Sequence, residues 1–171
     1  YSKKYSRFYN YNNFLSQTLG YVDAKGIGML GIEQSFNYLL SGDTTNIKYK
    51  KGAKGKYFNP DMLNERNING YDIQLTVDIE LQKILQEELY KTVQLTEAKG
   101  ANGIIINPFN GNVIAIASIP DFNPNNYNQY EQISFNNSVI SDSYEPGSTF
   151  KIVPLILALE NEKYNLYDSL Y

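Results

Sequence analysis

The sequence predicts an α+β fold, and three observations predict it. An apolar stripe at helical spacing runs from Leu81 to Val93, two short Ile/Val/Ala-rich runs flank Asn110-Gly111, and a second apolar helical run covers residues 152–159. In order, residues 73–77 alternate apolar and polar, the period of a short strand. Asp78 can cap the helix that follows, on which Leu81, Ile84, Leu85, Leu89 and Val93 form one apolar face ending near Gly100. Glu80 with Lys83, and Glu87 with Lys91, read as surface charge pairs. Residues 104–106 and 113–117 form a hairpin whose turn signal is Asn110-Gly111. Residues 119–143, rich in Pro, Asn and Tyr, are longer than ordinary loops and therefore functional or locally structured. The last helix carries Ile152, Leu155, Ile156 and Leu159 on its apolar side, and Pro154 should disturb its second turn at the bond to Phe150.

The N-terminal part is less regular. Residues 31–40 read as one helix with Ile32, Phe36, Leu39 and Leu40 on one side, after a glycine-rich approach and before a Ser41-Gly42-Asp43 stop. Residues 1–66 carry 10 basic and 5 acidic side chains, and residues 67–171 carry 5 and 13. The polar, turn-rich stretch 64–70 marks a boundary there, giving regions 1–70 and 71–171.

Composition narrows the chemistry. With 42% apolar and 19% charged residues the chain is that of a folded protein. Its 21 Asn, 16 Tyr and 13:2 Lys:Arg ratio read as a codon bias toward A and T. No His and no Cys are present, which excludes ordinary zinc sites and Ser-His-Asp or Cys-His catalysis. No metal or cofactor is expected. No 18-residue apolar run and no signal-peptide pattern occur. Gly26-Ile27-Gly28-Met29-Leu30-Gly31 spells a dinucleotide fingerprint, but a convincing buried strand before it and an acidic residue some twenty positions on are both missing. The Lys- and Tyr-rich tract 48–57 resembles a nucleic-acid patch in composition only. In a chain of net charge −3, its Lys-Gly run reads as a solvated hairpin turn, and no nucleic-acid partner is expected.

The most informative segment is Tyr144-Glu145-Pro146-Gly147-Ser148-Thr149-Phe150-Lys151-Ile152. Pro146-Gly147 breaks the preceding structure and sets Ser148 at a helix start, where free N–H groups favour negative charge. Three residues are close to one turn, so Ser148 Oγ and the Lys151 amine share a face. A serine hydroxyl needs a base to become a nucleophile, and a lysine with lowered pKa can serve. Alone this spacing is weak, since with 13 Lys it arises by chance, and an N-cap serine with a solvated lysine is the plain alternative.

The flanks give the segment its weight. Residues 144–152 resemble the nucleophile segment of class B penicillin-binding proteins nearly letter for letter. Asn136-Asn137-Ser138 is similar to that family's Asn-Arg-Ala approach, with Asn137 where Arg is usual. Residues 103–124 are similar to its strand-turn-strand and the Asp-Pro-Asn-type exit, and residues 71–78 with Leu81-Gln82 to its opening strand and first helix. Residues 19–22 and 28–33, ending in Gly31-Ile32-Glu33, resemble its non-catalytic pedestal region.

The resemblance implies an N-terminal pedestal or dimerisation segment over 1–70. It also implies the first part of a penicillin-binding transpeptidase fold over 71–171, an antiparallel sheet flanked by helices and cut after the Ser148 helix. It implies a D,D-transpeptidase that cross-links peptidoglycan stem peptides through a Ser148 acyl-enzyme, with Lys151 as base and the Ser148 backbone N–H as half of the oxyanion hole. β-Lactams, a second copy of the chain or other cell-wall synthesis proteins are the implied partners. The implied location is the outer face of the cell membrane, with an anchor upstream. The family's Ser-x-Asn and Lys-Thr-Gly motifs are expected beyond Tyr171, so the chain reads as a cut piece, inactive by itself. Ser35-Phe36-Asn37 and Ser134-Phe135-Asn136 spell Ser-x-Asn ahead of the nucleophile and read as coincidence. The alternatives are a serine β-lactamase or β-lactam sensor, a bifunctional penicillin-binding protein, and a non-enzymatic scaffold piece.

Overall fold

In the computed structural model, which describes residues 6–42, 50–51, 57–58, 70–161 and 167, helices and short antiparallel strands alternate. The order is α1 (Ser16–Leu19), α2 (Gly31–Ser35), α3 (Asn37–Leu40), β1 (Lys50–Lys51), β2 (Tyr57–Phe58), α4 (Ile79–Thr96), β3 (Ala101–Ile106) and β4 (Val113–Ile119). Then come 3-10 turns Pro124–Gln129 and Gln132–Phe135, α5 (Ser138–Ser141), a 3-10 turn Gly147–Lys151 and α6 (Ile152–Glu160). Contacts divide the chain into two units, Tyr1–Ser141 and Asp142–Tyr171. Among the described residues no helix is long and apolar enough to cross a membrane.

The first unit is built around β4. Strands β3 and β4 pair antiparallel from Ala101 opposite Ile119 to Ile106 opposite Val113, with an irregularity between Ile105 and Ile106. The turn closes with the Asn107 N–H donating to Asn112 O and the Gly111 N–H donating to Asn107 O, each at 2.9 Å, and the side chains of Asn107 and Asn110 accept N–H groups two residues on. Sequence thus placed this hairpin, each strand being longer than predicted. Residues 115–119 are buried on both faces of β4.

On one face lies α4. Asp78 Oδ1 accepts from Glu80 N–H at 2.9 Å and Leu81 N–H at 3.0 Å, the predicted cap. The helix approaches the sheet closely at Gly103, where a Cβ would stand 2.7 Å from Leu85 Cδ1. Its apolar stripe is not as expected. Leu81 and Ile84 are exposed, and the centre of the buried face is Gln82 and Gln86, flanked by Leu85, Leu89 and Val93. The reason is the free edge of β4, whose backbone groups need partners that a leucine cannot supply.

Residues 73–77 are not a laddered strand. They join β4 through Thr76 Oγ1 to Val113 O (2.7 Å) and Asp78 N–H to Ile114 O (2.9 Å), because the next position of that edge, Ile116, is taken by a side chain of α4. The helix predicted over residues 31–40 is split at Phe36 (φ −111°, ψ 20°) into α2 and α3. There the Asn37 side chain turns to accept the Gly28 N–H at 2.9 Å, so a tertiary bond competes with helical continuity. The glycines of the false dinucleotide fingerprint serve this packing: Val22 bridges Gly28, and Gly31 opens α2. Lys50-Lys51 pair with Tyr57-Phe58 as a hairpin requires, while turn residues 52–56 and boundary residues 64–69 lie outside the described residues.

On the other face of β4 lie α1 and the connection after Ile119. That connection is locally structured, as its length implied. Phe122 is fully buried, its ring 4.6 Å from Phe135 and 5.9 Å edge-on to Tyr21, which stacks at 4.2 Å on Tyr127. Burying such a ring contributes about 1.5–3 kcal/mol.

Candidate active site

The second unit carries Ser148 and Lys151. Pro146 sits at φ −68° and Gly147 at φ 52°, a left-handed step that redirects the chain without a Cβ in the way. The first backbone bond of the new turn runs from Thr149 N–H to Pro146 O at 3.0 Å. That leaves the Ser148 N–H ahead of the ladder, where helix-start donors are free for other acceptors.

The segment Gly147–Lys151 is a 3-10 turn and not the α-helix that sequence implied. With three residues per turn, positions i and i+3 eclipse, so Ser148 and Lys151 stand one above the other more directly than α geometry would put them. Both are exposed, and among the described residues no hydrogen bond joins Ser148 Oγ to the Lys151 amine. Catalytic hydrogen bonds are often long or poorly aligned before substrate binds, so an unbonded pair is compatible with proton transfer.

The 3-10 turn also explains Pro154. The α-helical ladder restarts at Ile152, which makes Pro154 the third residue of α6 and places its missing N–H in the first turn. Along α6, Ile152, Val153, Leu155, Ile156 and Leu157 are exposed within this unit.

The first unit holds the other motif residues. Asn137, in the place of the family's usual Arg, meets Thr18 Oγ1 and Ser118 Oγ, each at 3.5 Å. Of the two false Ser-x-Asn triplets, Ser134 is buried in a 3-10 turn and Asn37 is the acceptor for Gly28. Three polar residues escaped sequence reasoning. Asp121 accepts from Asn13 Nδ2 (3.0 Å), Gln86 Nε2 and Tyr90 OH, and burial pushes its carboxyl above the ordinary range despite those donors. Gln17 and Gln82 each bond several backbone groups. For Gln82 the signal was a glutamine within an apolar helical pattern, while residues 16–19 had no such pattern to mark Gln17. A cleft of about 630 Å³ lies beside the Arg7–Glu33 ion pair (2.9 Å), lined by residues of 6–41 and 124–127 and by none of the predicted site residues. Among the described residues, no group of three or more His, Cys, Asp or Glu is placed to hold a metal.

Residues 102–170 match the penicillin-binding protein transpeptidase domain, a span that includes Ser148 and Lys151. Over that span the chain is similar to the penicillin-binding protein transpeptidase family. It is 36% identical to stage V sporulation protein D of Bacillus subtilis over 94% of this chain and 25% of that protein. It is 33% identical to the peptidoglycan D,D-transpeptidase FtsI of Buchnera aphidicola over 90% of this chain and 27% of that protein. The crystal structure of penicillin-binding protein 2X from Streptococcus thermophilus matches with a TM-score of 0.72 at 26% identity, over 94% of this chain and 25% of that one. The chain therefore spans about a quarter of the length of these members of the penicillin-binding transpeptidase family.

Proposed function

We propose that this chain is the pedestal segment (1–70) and the first part of the transpeptidase domain (71–171) of a monofunctional class B penicillin-binding protein. That protein cross-links peptidoglycan by D,D-transpeptidation at the outer face of the cell membrane. Ser148 Oγ attacks the penultimate D-Ala carbonyl of a stem peptide as its proton passes to the Lys151 amine. The Ser148 N–H donates to the developing oxyanion. Collapse of the tetrahedral intermediate breaks the D-Ala–D-Ala bond and releases D-Ala with that proton. An amine of a neighbouring stem peptide then attacks the acyl-enzyme and restores the serine. A β-lactam carbonyl enters the same first step and stays on Ser148.

The single observation that carries this reading is that Ser148 and Lys151 lie three residues apart on one 3-10 turn opened by Pro146-Gly147, inside the span that matches the transpeptidase domain. The relative from Buchnera aphidicola is named a transpeptidase, which favours this reading over the β-lactamase and scaffold alternatives. The test is mass spectrometry of the full-length protein after exposure to penicillin. A stoichiometric adduct on the peptide containing Ser148 is expected, and an adduct elsewhere, or none, would refute it.

A further inference from the structure

The chain contains three Asn-Gly steps, at residues 69–70, 102–103 and 110–111. Such a step can lose its side-chain amide without an enzyme. The glycine backbone nitrogen attacks the asparagine Cγ, the Cγ–Nδ2 bond breaks, and ammonia leaves as a succinimide closes. Water then opens that ring to aspartate or to isoaspartate. Glycine suits the second position because no Cβ shields its nitrogen. Asn69 lies outside the described residues, and the fold treats the other two steps differently.

Asn102 and Asn110 are both exposed, so access to water does not separate them. Asn102 and Gly103 are laddered in β3, opposite Ser118 and Ala117 of β4. The Asn102 side chain accepts the Ser138 hydroxyl at 2.5 Å, and Leu85 closes on Gly103 from α4. Closing a succinimide there has to turn the backbone at Asn102, which the paired strand resists.

Asn110 and Gly111 lie outside the ladder, in the turn that joins the two strands. Gly111 sits at φ 75°, and a Cβ on it would meet nothing within 4 Å. Asn110 Oδ1 accepts the Asn112 N–H at 3.0 Å, which folds the side chain back along its own main chain over residue 111. The same bond sets a donor on the oxygen that gains negative charge as Cγ is attacked. One bond opposes the reaction: the Gly111 N–H donates to Asn107 O at 2.9 Å and must open first. As a bond of an exposed turn, it belongs to the class that opens most easily.

We propose that Asn110 is a spontaneous deamidation site of the folded protein, with water as the only co-reactant, and that β3 protects Asn102. The proposal is independent of the transpeptidase reading. Aspartate at position 110 keeps an oxygen for the Asn112 N–H. Isoaspartate instead adds a methylene to the main chain of the turn that sets the pairing of Ile106 with Val113.

The test incubates the full-length protein at mildly alkaline pH, folded and in guanidinium chloride, and samples both over days. A chymotryptic cut after Phe109 separates the two asparagines, and fragment spectra locate the mass gain of acid over amide. In the folded protein the gain should appear at Asn110, with Asn102 slower by about tenfold or more, since reacting groups held out of line lose rate steeply. In denaturant the two sites should convert at similar rates, because the ladder and the turn are gone. Folded protein in which Asn110 keeps its amide, or in which Asn102 converts as fast, would overturn the proposal. The same preference for Asn110 in denaturant would overturn it too, by showing that the fold does not make the difference.

Discussion

The side-chain amide of Gln82 spans both backbone groups of Ile116, donating from Nε2 to its carbonyl at 2.9 Å and accepting its N–H on Oε1 at 2.9 Å. A helix side chain here takes the place of a neighbouring strand, satisfying the edge of β4 at a site with no access to water. Replacing Gln82 by Leu leaves two buried backbone groups without partners. Each unsatisfied group costs about 1–3 kcal/mol. Gln82→Leu should therefore destabilise the protein more than Leu81→Ala, whose side chain is exposed, and denaturant unfolding of the two variants checks the order.

Gly103 sets the distance between α4 and β3. A Cβ at that position would lie 2.7 Å from Leu85 Cδ1 and 3.3 Å from Leu89 Cδ1, both ends of side chains that can move. Gly103→Ala should be tolerated with a small loss. Gly103→Val should cost about 1–3 kcal/mol by overpacking. Combining Gly103→Val with Leu85→Ala should recover part of the loss, giving a non-zero coupling in a double-mutant cycle. Strict additivity would show that the helix does not pack at this glycine.

Asp121 should make stability depend on pH with a definite sign. Burial, the largest influence, raises its carboxyl above the ordinary value, while the donors Tyr90, Gln86 and Asn13 oppose it. The folded state therefore holds the proton more tightly than the unfolded chain does. The stability this contributes is fully present below the unfolded value and lost as pH rises through the folded one. The stability of wild type minus that of Asp121→Asn should fall with rising pH across this window, read by thermal unfolding in a pH series. A difference that grows with pH would contradict the assignment.

Catalysis should separate the two partners of the 3-10 turn. Ser148→Ala in the full-length protein should abolish covalent labelling by a fluorescent penicillin. Lys151→Ala should lower the labelling rate by about 100- to 10,000-fold, the usual contribution of a positioned base. Ser134→Ala should label close to wild type, because its recorded partner Gln17 bonds its carbonyl and not its hydroxyl. Gel fluorescence over a time course distinguishes the three.

Local chemistry was legible in the sequence. The Asp78 cap, the Asn110-Gly111 turn and the Pro146-Gly147 break each act within a few residues, so α4, the hairpin and the start of the nucleophile turn could be placed by reading along the chain. The spacing of Ser148 and Lys151 was legible for the same reason. Periodicity failed where the partner is distant: it read Leu81 and Ile84 onto the apolar face, and gave Gln82 and Gln86 no place there, although both are buried.

What only the tertiary structure decided is which polar groups are buried and what they hold. Gln17 and the Ser134 carbonyl it bonds are 117 residues apart, and Asn13 meets Asp121 across 108. No propensity or alternation in either segment encodes such a pairing. The sequence by itself determined the elements and the spacing of the candidate nucleophile and base, because those depend on backbone dihedrals and short-range hydrogen bonds. The break at Phe36, the unladdered run at 73–77 and the grip of α1 on residues 118–137 arose only on folding, because each satisfies a donor or acceptor brought there from elsewhere in the chain.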